Sequence, residues 1–68
     1  MLLNQFPAKG VVTETITSND RGRVKFRGVD WYAEIPPRLS QGLTFQIGDQ
    51  VWVIGQKTCT TVFVSGTL

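Results

Sequence analysis

Four cations on alternate residues, Arg21, Arg23, Lys25 and Arg27, interleave with or lead into Phe26, Trp31 and Tyr32. Nucleic-acid binding needs cations free to meet phosphates and rings free to stack on bases, so this stretch is the first place to look for ligand chemistry. Two carboxylates, Asp30 and Glu34, follow closely and can offset two of the four charges. Catalysis has less to work with. The chain has no histidine, so its single cysteine, Cys59, lacks an imidazole to activate it. Ser18, Ser40 and Ser65 fall in turn-like or terminal contexts with no base beside them. The five carboxylates are scattered and the seven glycines dispersed, so no phosphate-cradling loop is formed. One cysteine without histidine gives zinc no ligand set. The expectation is a protein that is not an enzyme, with no cofactor and no metal.

Sixty-eight residues make one domain. A chain this short buries only about 60% of the surface it exposes when unfolded, so its stability is marginal and self-association would help it. A disulfide within the chain is excluded by the cysteine count. Seven basic and five acidic side chains give a formal net charge of +2, a mild signal for nucleic acid. No apolar run approaches the ~20 residues that span a bilayer, and the first residues lack the basic start of a signal peptide. The chain reads as soluble and cytoplasmic, its lone cysteine fitting a reducing compartment.

The elements that must position the basic row begin with a hairpin. Residues 21–34 alternate charged or polar with apolar residues on both sides of Gly28. With Gly28-Val29 as a type II′ loop, Val24 faces Ala33 and Phe26 faces Trp31 on an apolar inner side. On the outer side Arg23 then faces Glu34, Lys25 faces Tyr32 and Arg27 faces Asp30. A one-residue slip would carry charge into the apolar side.

Upstream, Met1 to Ala8 reads as a partly ordered arm, and Lys9 to Thr17 as a Val- and Thr-rich strand. Glu14 shares a face with Val12 and Ile16, which calls for a bulge or barrel corner. Thr17-Ser18-Asn19-Asp20 is a turn. Downstream, two prolines and a glycine between Ile35 and Gly42 leave room for one helical turn at most. Leu39, Leu43, Phe45 and Ile47 are expected to plug one end. Gln50–Ile54 and Thr60–Ser65 are the last strands. Pairing them with Val51 opposite Val64 and Val53 opposite Val62 sets Trp52 against Phe63 outside, with a bulge near Gly55. The fold class is all-β, a small five-stranded OB-like Greek-key barrel over residues 9–66, with an SH3-like barrel as the alternative.

Two surfaces emerge. On an OB barrel the second and third strands carry the oligonucleotide-binding face, which here holds Arg21, Arg23, Lys25, Arg27 and Tyr32. The expected register weakens that reading, because it pairs two cations with carboxylates and turns Phe26 and Trp31 inward. Trp52 and Phe63 form the other surface. Exposed aromatics are enriched at interfaces, and the alternative is that Leu2, Leu3 or Phe6 of the arm covers them.

The series Lys9-Gly10-Val11-Val12-Thr13, Gly22-Arg23-Val24 with Gly28, Trp31-Tyr32-Ala33, residues 47–54 (Ile-Gly-Asp-Gln-Val-Trp-Val-Ile) and Val62-Phe63-Val64 resembles the C-terminal soluble domain of NfeD-like proteins. The resemblance spans roughly Lys9 to Ser65. It implies an OB-type barrel that is a non-enzymatic module, in proteins that usually carry transmembrane helices and sometimes a ClpP-type serine protease part. It also implies partners among stomatin- or flotillin-like membrane scaffold proteins. The helices and the protease part have no counterpart in these residues, so anchoring and proteolysis do not carry over. A proline usual near the turn before the second strand is replaced by Ser18-Asn19-Asp20-Arg21. Three functions follow: a protein-interaction module near a membrane through its partner, a nucleic-acid-binding OB domain, and a subunit that self-associates into a homo-oligomer through Trp52 and Phe63.

Overall fold

Alternating apolar and polar residues, rich in valine, set the strands of a computed structural model that describes residues 6–39 and 42–67. Five of them, β1 (Ala8–Glu14), β3 (Gly22–Phe26), β4 (Val29–Glu34), β6 (Gln50–Gln56) and β7 (Thr61–Ser65), close into a barrel in the order β1-β3-β4-β7-β6. Two short strands, β2 (Ile16–Thr17) and β5 (Thr44–Phe45), pair separately. Every barrel pairing is antiparallel except β4 with β7. Parallel neighbours need a crossover, and the segment from Ile35 through β5 and β6 provides it. This is the OB-like order, and the helix usual in that crossover is one 3₁₀ turn at Pro37–Leu39.

The inner faces supply a core of Val12, Ile16, Val24, Phe26, Ala33, Ile35, Val51, Val53, Val62 and Val64, all buried. Fully burying one such valine stabilises by about 1.5–3 kcal/mol. Leu39 and Phe45 pack against this core as expected. Leu43 and Ile47 do not, remaining 40% and 67% exposed. Ile47 sits in the turn before β6, where Gly48 N–H donates to Val12 O, so the backbone and not the side chain anchors that turn.

The hairpin forms, with a register two residues from the expected one. Val24 faces Trp31, Phe26 faces Val29, and Gly22 faces Ala33. The loop is Arg27-Gly28, with φ of 55° and 77°. Positive φ at both central positions is the type I′ signature, whose twist suits the flanking strands. A shift of two leaves every side chain on its expected face, which is why periodicity could not detect it.

The expected irregularities in β1 and β6 both occur. In β1 the pairing with β3 jumps between Val12 and Glu14, so Thr13 is the extra residue and Glu14 leaves the inner face. At that point Gly22 comes so close that an added Cβ would lie 2.3 Å from the carbonyl oxygens of Glu14 and Thr15. In β6 the jump falls between Val53 and Gly55. The expected pairs Val51–Val64, Val53–Val62 and Trp52–Phe63 are therefore replaced by Val53–Val64, Trp52–Ser65 and Gly55–Phe63.

Phe6 closes the hairpin end. Its ring stacks on Phe26 at 5.8 Å, and Phe26 meets Trp31 at 6.0 Å. Trp31 is on the inner face but only half-buried, since it lies near the start of β4.

Candidate functional site

β3 reads Gly22-Arg23-Val24-Lys25-Phe26 and buries alternate residues, so Arg23 and Lys25 must point out. On β4 the same alternation turns out Asp30, Tyr32 and Glu34. The observed register sets Arg23 opposite Tyr32 and Lys25 opposite Asp30. Arg21 reaches the same ring from the turn before β3. Its guanidinium carbon lies 4.2 Å from the Tyr32 centroid, and that of Arg23 lies 5.3 Å away. Arg27, in the hairpin loop, lies over Phe26 at 5.7 Å.

The carboxylates take other partners than expected. Arg23–Glu34 and Arg27–Asp30 are not the pairs made, because the register moved. Glu14, turned out by the β1 bulge, lies 3.7 Å from Arg23 Nε. Asp30 Oδ1 accepts from Thr13 Oγ1 at 3.1 Å. Glu34 accepts from Lys57 Nζ at 2.7 Å, which ties β4 to the β6–β7 loop. These exposed pairs contribute little stability, about 0–1 kcal/mol each. Their effect is on where charge is left over. Glu34 is held by Lys57, so the face carries Arg21, Arg23, Lys25 and Arg27 against Glu14 and Asp30, with Asp20 and Glu34 beside Arg21 in a neighbouring hollow.

Beside Tyr32 an open hollow of about 390 Å³ lies between β4 and the β6–β7 loop. Val29 and Trp31 supply apolar walls, Arg23 and Asp30 the charged rim, and Cys59 and Thr60 the far side. The loop is pinned by Thr58, whose Oγ1 accepts from the N–H groups of Thr60 and Thr61 at 3.2 and 3.1 Å. Thr60 O then accepts from Tyr32 N–H at 3.1 Å, fixing the loop against β4. Glu14, Cys59 and Thr60 were not legible as members of this face. For the loop pair the available signal was the OB convention that the last hairpin loop borders the second and third strands.

Trp52 and Phe63 stand on the outer face but on either side of the β6 bulge. Trp52 faces Ser65, and Lys9 Nζ lies 5.5 Å over its ring. Phe63 is half-buried and lines a second hollow of about 440 Å³ with Pro36, Pro37, Arg38, Ile54 and Gly55. Phe6 covers neither, being stacked on Phe26. Leu2, Leu3 and Ser40 lie outside the described residues. Ser18 is in the β2–β3 turn, and Ser65 donates its hydroxyl to Thr67 O at 2.6 Å. Among the described residues, no group of three His, Cys, Asp or Glu could hold a metal ion. No helix among them is long and apolar enough to cross a membrane.

The barrel superposes on two solved structures along nearly its whole length. One is the soluble domain of a membrane protein implicated in regulation of membrane protease activity from Corynebacterium glutamicum. It is 26% identical, with a TM-score of 0.75 over 91% of this chain and 90% of that one. The other is the C-terminal domain of stomatin operon partner protein 1510-C from Pyrococcus horikoshii, also 26% identical, with a TM-score of 0.68 over 91% and 86%. The domain is NfeD-like. No protein-family model matches the chain, and no curated protein matches it either. In this NfeD-like barrel the five-strand closure holds the hairpin face in place.

Proposed function

We propose that this NfeD-like barrel is a non-enzymatic protein-interaction module that docks on a stomatin- or flotillin-like membrane scaffold protein, and so works on the cytoplasmic side of a membrane through its partner. The observation that carries the reading is the match of the whole barrel to the C-terminal domain of a stomatin operon partner protein. The neighbour from a membrane protein implicated in protease regulation supports the same setting. The site adds a physical reason. Its side chains form a charged rim around an apolar hollow, which suits docking, and Cys59 stands exposed at a loop tip without an activating base.

The test is calorimetric titration of the chain with the soluble part of a stomatin-like protein. Saturable one-to-one binding is expected. Heats no larger than dilution across the accessible range overturn the reading. One observation favours nucleic acid as a second reading: the excess charge sits on the strands that OB barrels use for oligonucleotides. Titration with single-stranded DNA and RNA at low and moderate salt separates the two, because phosphate binding weakens steeply with salt.

A further inference from the structure

We propose that the β3–β4 face takes an acidic, extended segment of the partner protein, its carboxylates meeting Arg21 and Arg23 and one apolar side chain entering the hollow between Trp31 and Cys59. The proposal rests on the docking reading above and names the chemistry of the partner.

Three observations select this occupant. Arg21, Arg23, Lys25 and Arg27 outnumber Glu14 and Asp30 on this face, and the guanidinium carbons of Arg21 and Arg23 lie 4.2 and 5.3 Å from the Tyr32 centroid. Guanidinium forks already ordered in this way bind carboxylates at reduced entropic cost. The hollow beside them is about 390 Å³, room for a few side chains and not for a helix ~10 Å across. Finally, β7 begins its pairing at Thr61 opposite Tyr32, while β4 starts at Val29. Tyr32 N–H points into the β4–β7 seam, so with a period of two the Asp30 peptide groups point there as well, one step before β7 begins. An extended segment can meet that edge with backbone hydrogen bonds.

The same face suits other anions less well. Bases need a free aromatic surface, yet two guanidinium groups already lie against the Tyr32 ring and Trp31 is half-buried against Phe26. An anionic bilayer would meet a concave surface with Asp30 on its rim.

The experiment uses the full chain carrying Trp52→Phe, which leaves Trp31 as its only tryptophan. The probe is a blocked pentapeptide of four glutamates around one leucine, with a lysine-for-glutamate peptide as control. A saturable change in Trp31 emission with the acidic peptide is expected, weakening roughly tenfold from low to moderate salt. Arg21→Glu with Arg23→Glu should abolish it. Circular dichroism reports whether that variant folds, and the milder Arg21→Gln should weaken binding several-fold in any case. No emission change, equal binding of the lysine peptide, or tighter binding of single-stranded DNA or phosphatidylserine vesicles overturns the proposal. If the stomatin-like domain binds the chain and charge reversal leaves that affinity unchanged, this inference falls and the docking reading stands. If the acidic peptide binds and the stomatin-like domain does not, the docking reading falls instead.

Discussion

Arg23 and Tyr32 stand directly opposite each other across the β3–β4 hairpin, with the guanidinium carbon 5.3 Å from the ring centroid. Tyr32 is 36% exposed, so Arg21 and Arg23 form with it a small outward-facing cluster. Each exposed cation–π contact contributes about 0.5–1 kcal/mol. Tyr32→Ala is therefore expected to lower stability by about 1–2 kcal/mol in urea unfolding, and Tyr32→Phe to be close to neutral, because the ring remains. Equal losses in the two variants would show that the hydroxyl, and not the ring, matters.

Arg27 occupies a left-handed conformation at φ 55°. That conformation costs most L-residues roughly 1 kcal/mol; glycine avoids it for lack of a Cβ, and asparagine lessens it because its short polar side chain hydrogen-bonds locally. Arg27→Asn should leave the urea midpoint nearly unchanged, because a backbone relief of about 0.5–1 kcal/mol is offset by losing the Arg27 contact over Phe26. Gly28→Val, at φ 77°, should lower stability by at least about 1 kcal/mol. A stabilised Gly28→Val would mean that the loop sits elsewhere.

Phe26 and Trp31 touch but are buried to different degrees. Phe26 is 2% exposed, whereas Trp31 is half-buried. Phe26→Ala is expected to cost about 3–5 kcal/mol, and Trp31→Ala less, about 2–3 kcal/mol, since part of its ring already meets water. Chemical denaturation of both variants checks the order. The reverse order would place Trp31 deeper than Phe26.

Gly22 allows the end of β1 to cross β3 at close range. Its missing Cβ would fall 2.3 Å from two carbonyl oxygens, so the backbone must move for any side chain. Gly22→Ala should destabilise by about 1–3 kcal/mol or prevent folding. An alanine variant with an unchanged melting temperature would refute this crossing.

Trp52 faces Ser65 beneath Lys9, and Phe63, two residues back on β7, faces Gly55 instead of Trp52. Self-association through a joint Trp52–Phe63 surface is therefore not expected. Sedimentation should give one mass at all concentrations, for the chain and for Trp52→Ser alike. A mass that rises with concentration and falls on Trp52→Ser would restore the self-associating reading.

The inner and outer faces follow from the order of residue types alone. Val24, Phe26, Ala33, Val51, Val53, Val62 and Val64 are inward because alternation has a period of two, and the bulge in β1 was legible because Glu14 broke that period. The basic row and Tyr32 were legible as an outer surface for the same reason. Register was not, since a shift of two residues preserves both faces and leaves only the loop to decide. The loop chose Arg27-Gly28 through backbone angles that no side-chain pattern records. Charge partners followed register: Arg23 found Glu14, and Glu34 found Lys57, 23 residues away. The Glu34–Lys57 pair, and the hollow that sets Cys59 and Thr60 beside Tyr32, depend on barrel closure, which brings distant strands together and is decided only in three dimensions.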